Sequence, residues 1–325
     1  VPDRLVANPL AGPVARDGAA PGLEFHRSLR GYEPTPLVAA PAAARALGVA
    51  RVLVKDESSR LGLPSFKILG ASWAAHRALS GQRTLTCATD GNHGRAVARV
   101  ARLLGLGAIV FVPYDMAPAR REAIAAEGAE VRVVHGTYDE AVDRAGALAG
   151  PDVLVVQDTG DGPVPAWVVE GYATIGAEID VDPDLVAVQI GVGSFAAAMV
   201  RRFAGARLIG VEPATAACAL ASAEAGAPVD VPGPHESVMA GLNCGRVAPA
   251  GWPLVSRGIE AFAAIEDRWA HEAADLLAQD GVTAGESGAA GLAGLLAFRD
   301  RLALPPTLLV INTEGQTDSS AHKGR

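Results

Sequence analysis

Short apolar runs of four to seven residues alternate along this chain with longer stretches in which apolar positions recur every three to four residues. The first pattern is that of buried strands and the second that of helices, so their alternation predicts strand–helix–strand units wound into parallel sheets. The predicted class is α/β. Strands are expected at Arg51–Lys55, Thr84–Ala88, Ala108–Val112, Glu130–Val134, Val153–Gln157, Leu185–Ile190, Arg207–Val211, Ala261–Ile265 and Thr307–Ile311. Nine strands exceed what one small sheet needs. A helix is expected from Asn92 to Leu104, with Val97, Val100, Ala101 and Leu104 on one face and Arg95, Arg99 and Arg102 off it. Asp90 and Asn92 are of the types that cap orphan amides, and Gly105 is a stop signal. No repeat or long linker divides the chain. The expected organisation is a lobe over residues 80–168 inserted into a larger one built from 1–79 and 169–325. Gly160-Asp161-Gly162-Pro163 and Pro232-Gly233-Pro234 mark exposed loops.

Composition narrows the function classes. The chain has 325 residues, half of them hydrophobic and 20% charged, which suits about two globular domains and argues against disorder. The net charge is −8 and no basic run could neutralise a series of phosphates, so nucleic acid is not an expected partner. Cys87, Cys218 and Cys244 are odd in number and lack the paired spacing of a zinc or redox site, so no metal is expected and a reducing cytoplasm fits. The most apolar stretch, Leu185 to Val200, is broken by Gln189 and by Gly191-Val192-Gly193-Ser194 and falls short of the ~20 residues a spanning helix needs. Asp3, Arg4, Asn8 and Pro9 interrupt the region where a secretion signal would need an apolar core.

Four segments hold candidate chemistry. The first runs from Lys55 through Asp56-Glu57-Ser58 to Ser65-Phe66-Lys67, a strand end leading into a helix that extends to about Ala78. It puts Lys67 in the first helical turn, where the dipole disfavours an ammonium; a neutral or imine-bound lysine with a depressed pKa would suit that place. A lysine by itself is ordinarily a solvated surface group. The second, Thr89-Asp90-Gly91-Asn92-His93-Gly94, joins a strand to a helix at the carboxyl edge of the sheet, where amides can receive a carboxylate or phosphate. Read blandly, it is a capped turn, and His93 has no metal-ligand spacing around it. The third, Gln189 to Phe195, passes through Gly191-Val192-Gly193-Ser194 into a helix reaching about Phe203, and its successive amides suit a phosphate monoester. It is neither a P-loop nor a full dinucleotide fingerprint. The fourth is the last strand with its exit Thr313-Glu314-Gly315-Gln316-Thr317-Asp318, where the neutral Thr313 hydroxyl could meet a heteroaromatic nitrogen.

In that order along one chain, these segments resemble the fold type II pyridoxal-phosphate enzymes related to threonine dehydratase and cysteine synthase. Their wording is most similar to that of the diaminopropionate ammonia-lyases. The likeness rests on Lys55-Asp56-Glu57-Ser58, Phe66-Lys67 with Leu69-Gly70, and Thr89 to Arg95. It extends through Val156-Gln157-Asp158-Thr159, Glu170 to Thr174, Met239 to Gly245, Glu286 to Ala289 and Thr313-Glu314-Gly315. The resemblance implies two α/β lobes with open, mostly parallel twisted sheets, helices on both faces, and pyridoxal 5'-phosphate held by Lys67 as an imine. It places Phe66 near the ring, Asn92 at the phenolic oxygen, Gly191, Val192, Gly193 and Ser194 at the phosphate, and Thr313 at the ring nitrogen. It assigns acid/base work to Lys67, Asp90 and Asp158, and substrate contacts to Ser65, Thr89, Asp90, Gly91 and His93. The implied reaction is α,β-elimination of a β-substituted amino acid such as 2,3-diaminopropionate to pyruvate and ammonia, by a cytoplasmic homodimer.

Three departures bear on the substrate. The chain is shorter than typical members, Gln316 stands where an acidic residue is common, and Pro64-Ser65 replaces a frequent Asn-Ala. The alternatives are a serine, threonine or hydroxyaspartate dehydratase, a β-replacement synthase, and a non-catalytic amino-acid-binding homologue.

Overall fold

The computed structural model describes residues 1–316 apart from 90, 137 and 161, with the backbone alone at 138 and 139. Of the residues singled out above, Asp90, Asp161, Thr317 and Asp318 lie outside the described residues.

Eleven strands form among the described residues: β1 (Arg4–Ala7), β2 (Leu37–Ala39), β3 (Arg51–Asp56), β4 (Thr84–Ala88), β5 (Gly107–Pro113), β6 (Glu130–Val134), β7 (Val153–Val155), β8 (Leu185–Gln189), β9 (Arg207–Pro213), β10 (Ala261–Ile265) and β11 (Thr307–Asn312). They make two sheets, a seven-stranded one in the order β1-β10-β9-β8-β11-β3-β2 and a four-stranded one in the order β6-β5-β4-β7. The small sheet is wholly parallel, and its strands all come from the interval 84–155. The large sheet is parallel from β10 to β3, with antiparallel β1 and β2 closing its two edges.

All nine expected strands are present. The two additional strands are the edges, only four and three residues long and without a fully buried position, so they carry no sustained apolar run. By contrast, every residue of β8 and β10 is buried, as expected of strands covered on both faces. The third segment's strand stops at Gln189 rather than Ile190. β7 ends two residues before Gln157, because there the side chain takes over from the ladder: Gln157 Oε1 accepts from the Ala88 amide at 2.9 Å and Nε2 donates to the Ala88 carbonyl at 3.2 Å.

The helix Asn92–Leu104 has the expected bounds, and Gly105 ends it in the left-handed region at φ 68°. Two details differ. Leu104 is 50% exposed, because the packed stripe ends at Ala101. The Asn92 side chain also turns to Glu314 instead of capping, while Thr89 Oγ1 accepts from the Gly91 and Gly94 amides at 2.9 and 3.0 Å. The off-face arginines converge on the buried Glu127, with Arg95, Arg99 and Arg102 at 3.3, 2.5 and 3.0 Å from its carboxylate.

The helix Lys67–Ala78 crosses the helix Pro163–Ala177 at a pair of glycines. A methyl on Gly171 would fall 2.5 Å from the Leu69 carbonyl oxygen, and one on Gly70 would fall 2.5 Å from the Tyr172 ring. Only bare backbones can approach this closely, and the crossing sets Lys67 against Tyr172. The segment leading into Lys67 is fixed by buried charges. Glu178 takes Lys55 at 2.6 Å and Arg60 at 2.7 Å, while Arg60 also takes Glu57 at 2.6 Å.

Candidate active site

The candidate residues come together because each follows the carboxyl end of a parallel strand, the edge where open α/β sheets place their ligands. β3, β8 and β11 of the large sheet lead to Lys67, to Gly191–Ser194 and to Thr313. β4 and β7 of the small sheet lead to Thr89–His93 and to Asp158. The two edges face each other across one cavity. Its wall includes Ser65, Phe66, Lys67, Thr89, Gly91, Asn92, His93, Asp158, Gly191, Val192, Gly193, Ser194 and Thr313. Thus every expected site residue that the structure describes lines a single pocket.

Lys67 begins its helix, as the sequence predicts, and the chain before it is sewn to the β11 exit. The Phe66 amide donates to the Thr313 carbonyl at 3.4 Å and the Gly315 amide to the Pro64 carbonyl at 3.0 Å. Its amine donates to Asp158 Oδ2 at 2.9 Å and lies 5.5 and 5.8 Å from the centres of the Phe66 and Tyr172 rings. Here the structure corrects the expected depressed pKa. Burial alone would lower the Lys67 pKa, but the Asp158 carboxylate outweighs it, so in the cofactor-free protein the amine is held firmly as an ammonium. The converse holds for Asp158, whose carboxyl burial would raise and which Lys67 keeps well below the usual range.

The glycine loop opens the helix Ser194–Phe203. Gly193 has φ +97°, and a methyl at Gly191 would press against the Gly241 carbonyl oxygen at 3.1 Å and the Cys244 sulfur at 3.3 Å. None of the amides of residues 191–194 donates to another described group. The Ser194 hydroxyl donates to the Asp158 carbonyl oxygen at 3.1 Å, which ties this loop to the small sheet. A helix start with a bare glycine turn and several undirected amides fits a phosphate.

Thr313 is oriented by a residue whose role the sequence did not reveal. Gln189 Nε2 lies 2.9–3.1 Å from the carbonyl oxygens of Ser287, Gly288 and Ile311, which identifies it as the amide nitrogen. It also lies 2.9 Å from Thr313 Oγ1. An amide nitrogen cannot accept, so the Thr313 hydroxyl proton must point elsewhere and is available on the pocket side. Glu314 likewise stands in a sequence motif that gives it no role of its own. It is 6% exposed and takes the Asn92 side-chain nitrogen, with burial pushing its carboxyl up. Gly241, Leu242 and Cys244 form another wall, where the Gly241 amide donates to Ser287 Oγ at 3.1 Å. A lysine within reach of the pocket, amides for a phosphate, a hydroxyl for a ring nitrogen and an amide for a phenolic oxygen form a set of groups that fits pyridoxal phosphate.

Comparison with known proteins agrees with this reading. Residues 29–314 match the family described as pyridoxal-phosphate dependent enzyme. The chain belongs to that family. This pyridoxal-phosphate dependent enzyme is 35% identical to the diaminopropionate ammonia-lyase of Escherichia coli K12, over 91% of its own length and 87% of the relative's. It is 32% identical to that of Salmonella typhimurium, over 93% and 90%. Its fold superposes with a TM-score of 0.88 on the Escherichia coli diaminopropionate ammonia lyase solved with an aminoacrylate–PLP azomethine reaction intermediate, at 32% identity over 97% of this chain and 94% of that one. Among the described residues no helix is long and apolar enough to cross a membrane.

Proposed function

We propose that this enzyme is an ammonia-lyase that converts 2,3-diaminopropionate, or a closely similar β-substituted amino acid, to pyruvate and ammonia. The observation that carries the proposal is the single pocket uniting Lys67, Asp158, Asn92, the 191–194 loop and Thr313 in a chain with this identity to diaminopropionate ammonia-lyases. Bound through Lys67, pyridoxal phosphate would supply the electron sink for breaking the Cα–H bond.

The protein's part follows from its own groups. The amides of residues 191–194 would hold the phosphate and Asn92 the phenolic oxygen. Thr313 would offer a neutral hydroxyl to the ring nitrogen, which favours prompt loss of a β-substituent over long storage of charge at Cα. The amides and hydroxyl of Thr89–His93 would receive the substrate carboxylate. Lys67, once released, would take the Cα proton from one face and Asp90 from the other. The place of Asp90 rests on its motif. Asp158, next to Lys67, would hold or protonate the leaving amino group.

The proposal includes a homodimer, which rests on the family resemblance and is tested by sedimentation. It also includes a cytoplasmic setting, which the buried thiols of Cys87 and Cys218 suit. The enzymatic test is pyruvate release from diaminopropionate and from serine, with and without an added thiol. Pyruvate is expected without the thiol and preferentially from diaminopropionate; consumption that requires the thiol and yields no pyruvate would instead mark a β-replacement synthase.

A further inference from the structure

His93 is buried beside the Lys67–Asp158 pair and is incompletely bonded. Its Nε2 lies 2.7 Å from the Val156 carbonyl oxygen, which can only accept, so that nitrogen carries the hydrogen. Burial pushes the imidazole pKa down, leaving the ring neutral and Nδ1 without a proton. Among the described residues Nδ1 finds no hydrogen-bond partner, and the ionisable atom recorded beside it is Asp158 Oδ2 at 3.9 Å. Two acceptors therefore face one another, one proton short of a hydrogen bond. On its other side the same Asp158 oxygen accepts from the Lys67 ammonium at 2.9 Å.

An ammonium has no lone pair, so Lys67 must lose a proton before it can attack an aldehyde, yet its surroundings hold that proton tightly. We propose that Asp158 and His93 form the temporary acceptor for the proton that Lys67 sheds when it captures the cofactor. The proton crosses from Nζ to Asp158 Oδ2, and the carboxyl group then turns it toward His93 Nδ1, closing the 3.9 Å gap. The neutral amine adds to the aldehyde carbon. Its two remaining hydrogens leave with the carbonyl oxygen as water, a carbon–nitrogen double bond forms, and the parked proton returns to that nitrogen. No other reagent is required. Among the described residues the Tyr172 phenol, the Cys87 thiol and the Cys244 thiol also face the pair; burial pushes the first two up, so they stay neutral and do not compete. His93 is thus a positioning and proton-holding residue, and the inference rests on the reading of Lys67 as the cofactor's anchor.

The test is the rate at which apoprotein gains its visible absorbance after mixing with pyridoxal phosphate. His93→Gln keeps an amide donor for the Val156 carbonyl and lacks a titratable ring nitrogen. It should load on the order of tenfold or more slowly near neutral pH, reach the same final absorbance, and approach the wild-type rate as pH rises and solvent base takes over. Loading at the wild-type rate, or slowing by the same factor at every pH, would overturn the inference. A second measurement needs no variant: the histidine ¹⁵N spectrum of wild-type apoprotein should show His93 neutral and protonated at Nε2, and a ring bearing a proton on Nδ1 would overturn it. If wild-type protein never gained the band, the lysine assignment would fall and this inference with it; a band forming at an unchanged rate in the variant removes the inference alone.

Discussion

Glu178→Gln probes the buried charges that hold the approach to Lys67. The network contains two cations, Lys55 and Arg60, and two anions, Glu57 and Glu178, all with side chains at most 3% exposed. Glu178 also accepts from the Tyr32 hydroxyl at 2.6 Å and the Thr35 amide at 3.1 Å. Glutamine cannot accept all of these bonds and leaves one buried positive charge uncompensated, which costs about 3–5 kcal/mol. The lowered proton affinity of Glu178 points to a similar figure. Burial would raise the Glu178 pKa, but Arg60 and Lys55 outweigh it and take it from the usual 4.5 to about 2. At about 1.4 kcal/mol per tenfold change in proton affinity, that depression amounts to about 3 kcal/mol. Because the folded pKa is the lower one, this stability is present above pH 4.5 and is lost as pH falls toward 2. Urea denaturation of wild type and variant, side by side at neutral pH and at successively lower pH, should show a gap of about 3 kcal/mol that narrows below about pH 4.5. A gap under about 1 kcal/mol, or one that does not narrow with acid, would refute the reasoning.

His26 also makes the fold less stable in acid, over a higher pH window and through burial of a neutral ring. Burial takes its pKa from the usual 6.5 to about 4, so the unfolded chain gains its proton first and stability falls as pH drops from 6.5 to 4. Denaturation of His26→Gln over that window should show a flatter profile, and an unchanged slope would exclude His26 as its source. Gly171→Ala should lose about 1–3 kcal/mol and also bind cofactor more weakly, because its methyl meets the Leu69 carbonyl oxygen at 2.5 Å and displaces the helix that begins at Lys67. Cofactor titration and denaturation of that variant read both effects, and a stable variant with normal cofactor affinity would contradict the close-packing argument. Gly191→Ala crowds the amide turn against the Gly241 carbonyl oxygen, so its cofactor affinity, measured by absorbance titration, should fall while its urea midpoint changes little. Unaltered affinity would place the phosphate elsewhere.

The buried parallel strands were legible because burial on both faces writes a continuous apolar run, and the site loops because each sits between such a strand and a helix. β1 and β2 were not legible, since each is a short edge without a sustained apolar run, and β1 finds its partner β10 only near the other end of the chain. The same distance explains the site's main correction. Position alone argued for an easily deprotonated Lys67, but Asp158, 91 residues on, reverses the balance, and no local pattern announces that pair. Gln189 and Glu314 stood within motifs the sequence displayed, yet their work is to orient Thr313 and hold Asn92, which only the converging strand ends reveal.

The central claim is that the Lys67 amine holds pyridoxal phosphate in this pocket. Borohydride reduction of the cofactor-loaded enzyme followed by peptide mass mapping tests it most directly. The account predicts a single pyridoxyl-phosphate label on the peptide containing Lys67; a label on another lysine, or none on protein that shows the visible band, would contradict it.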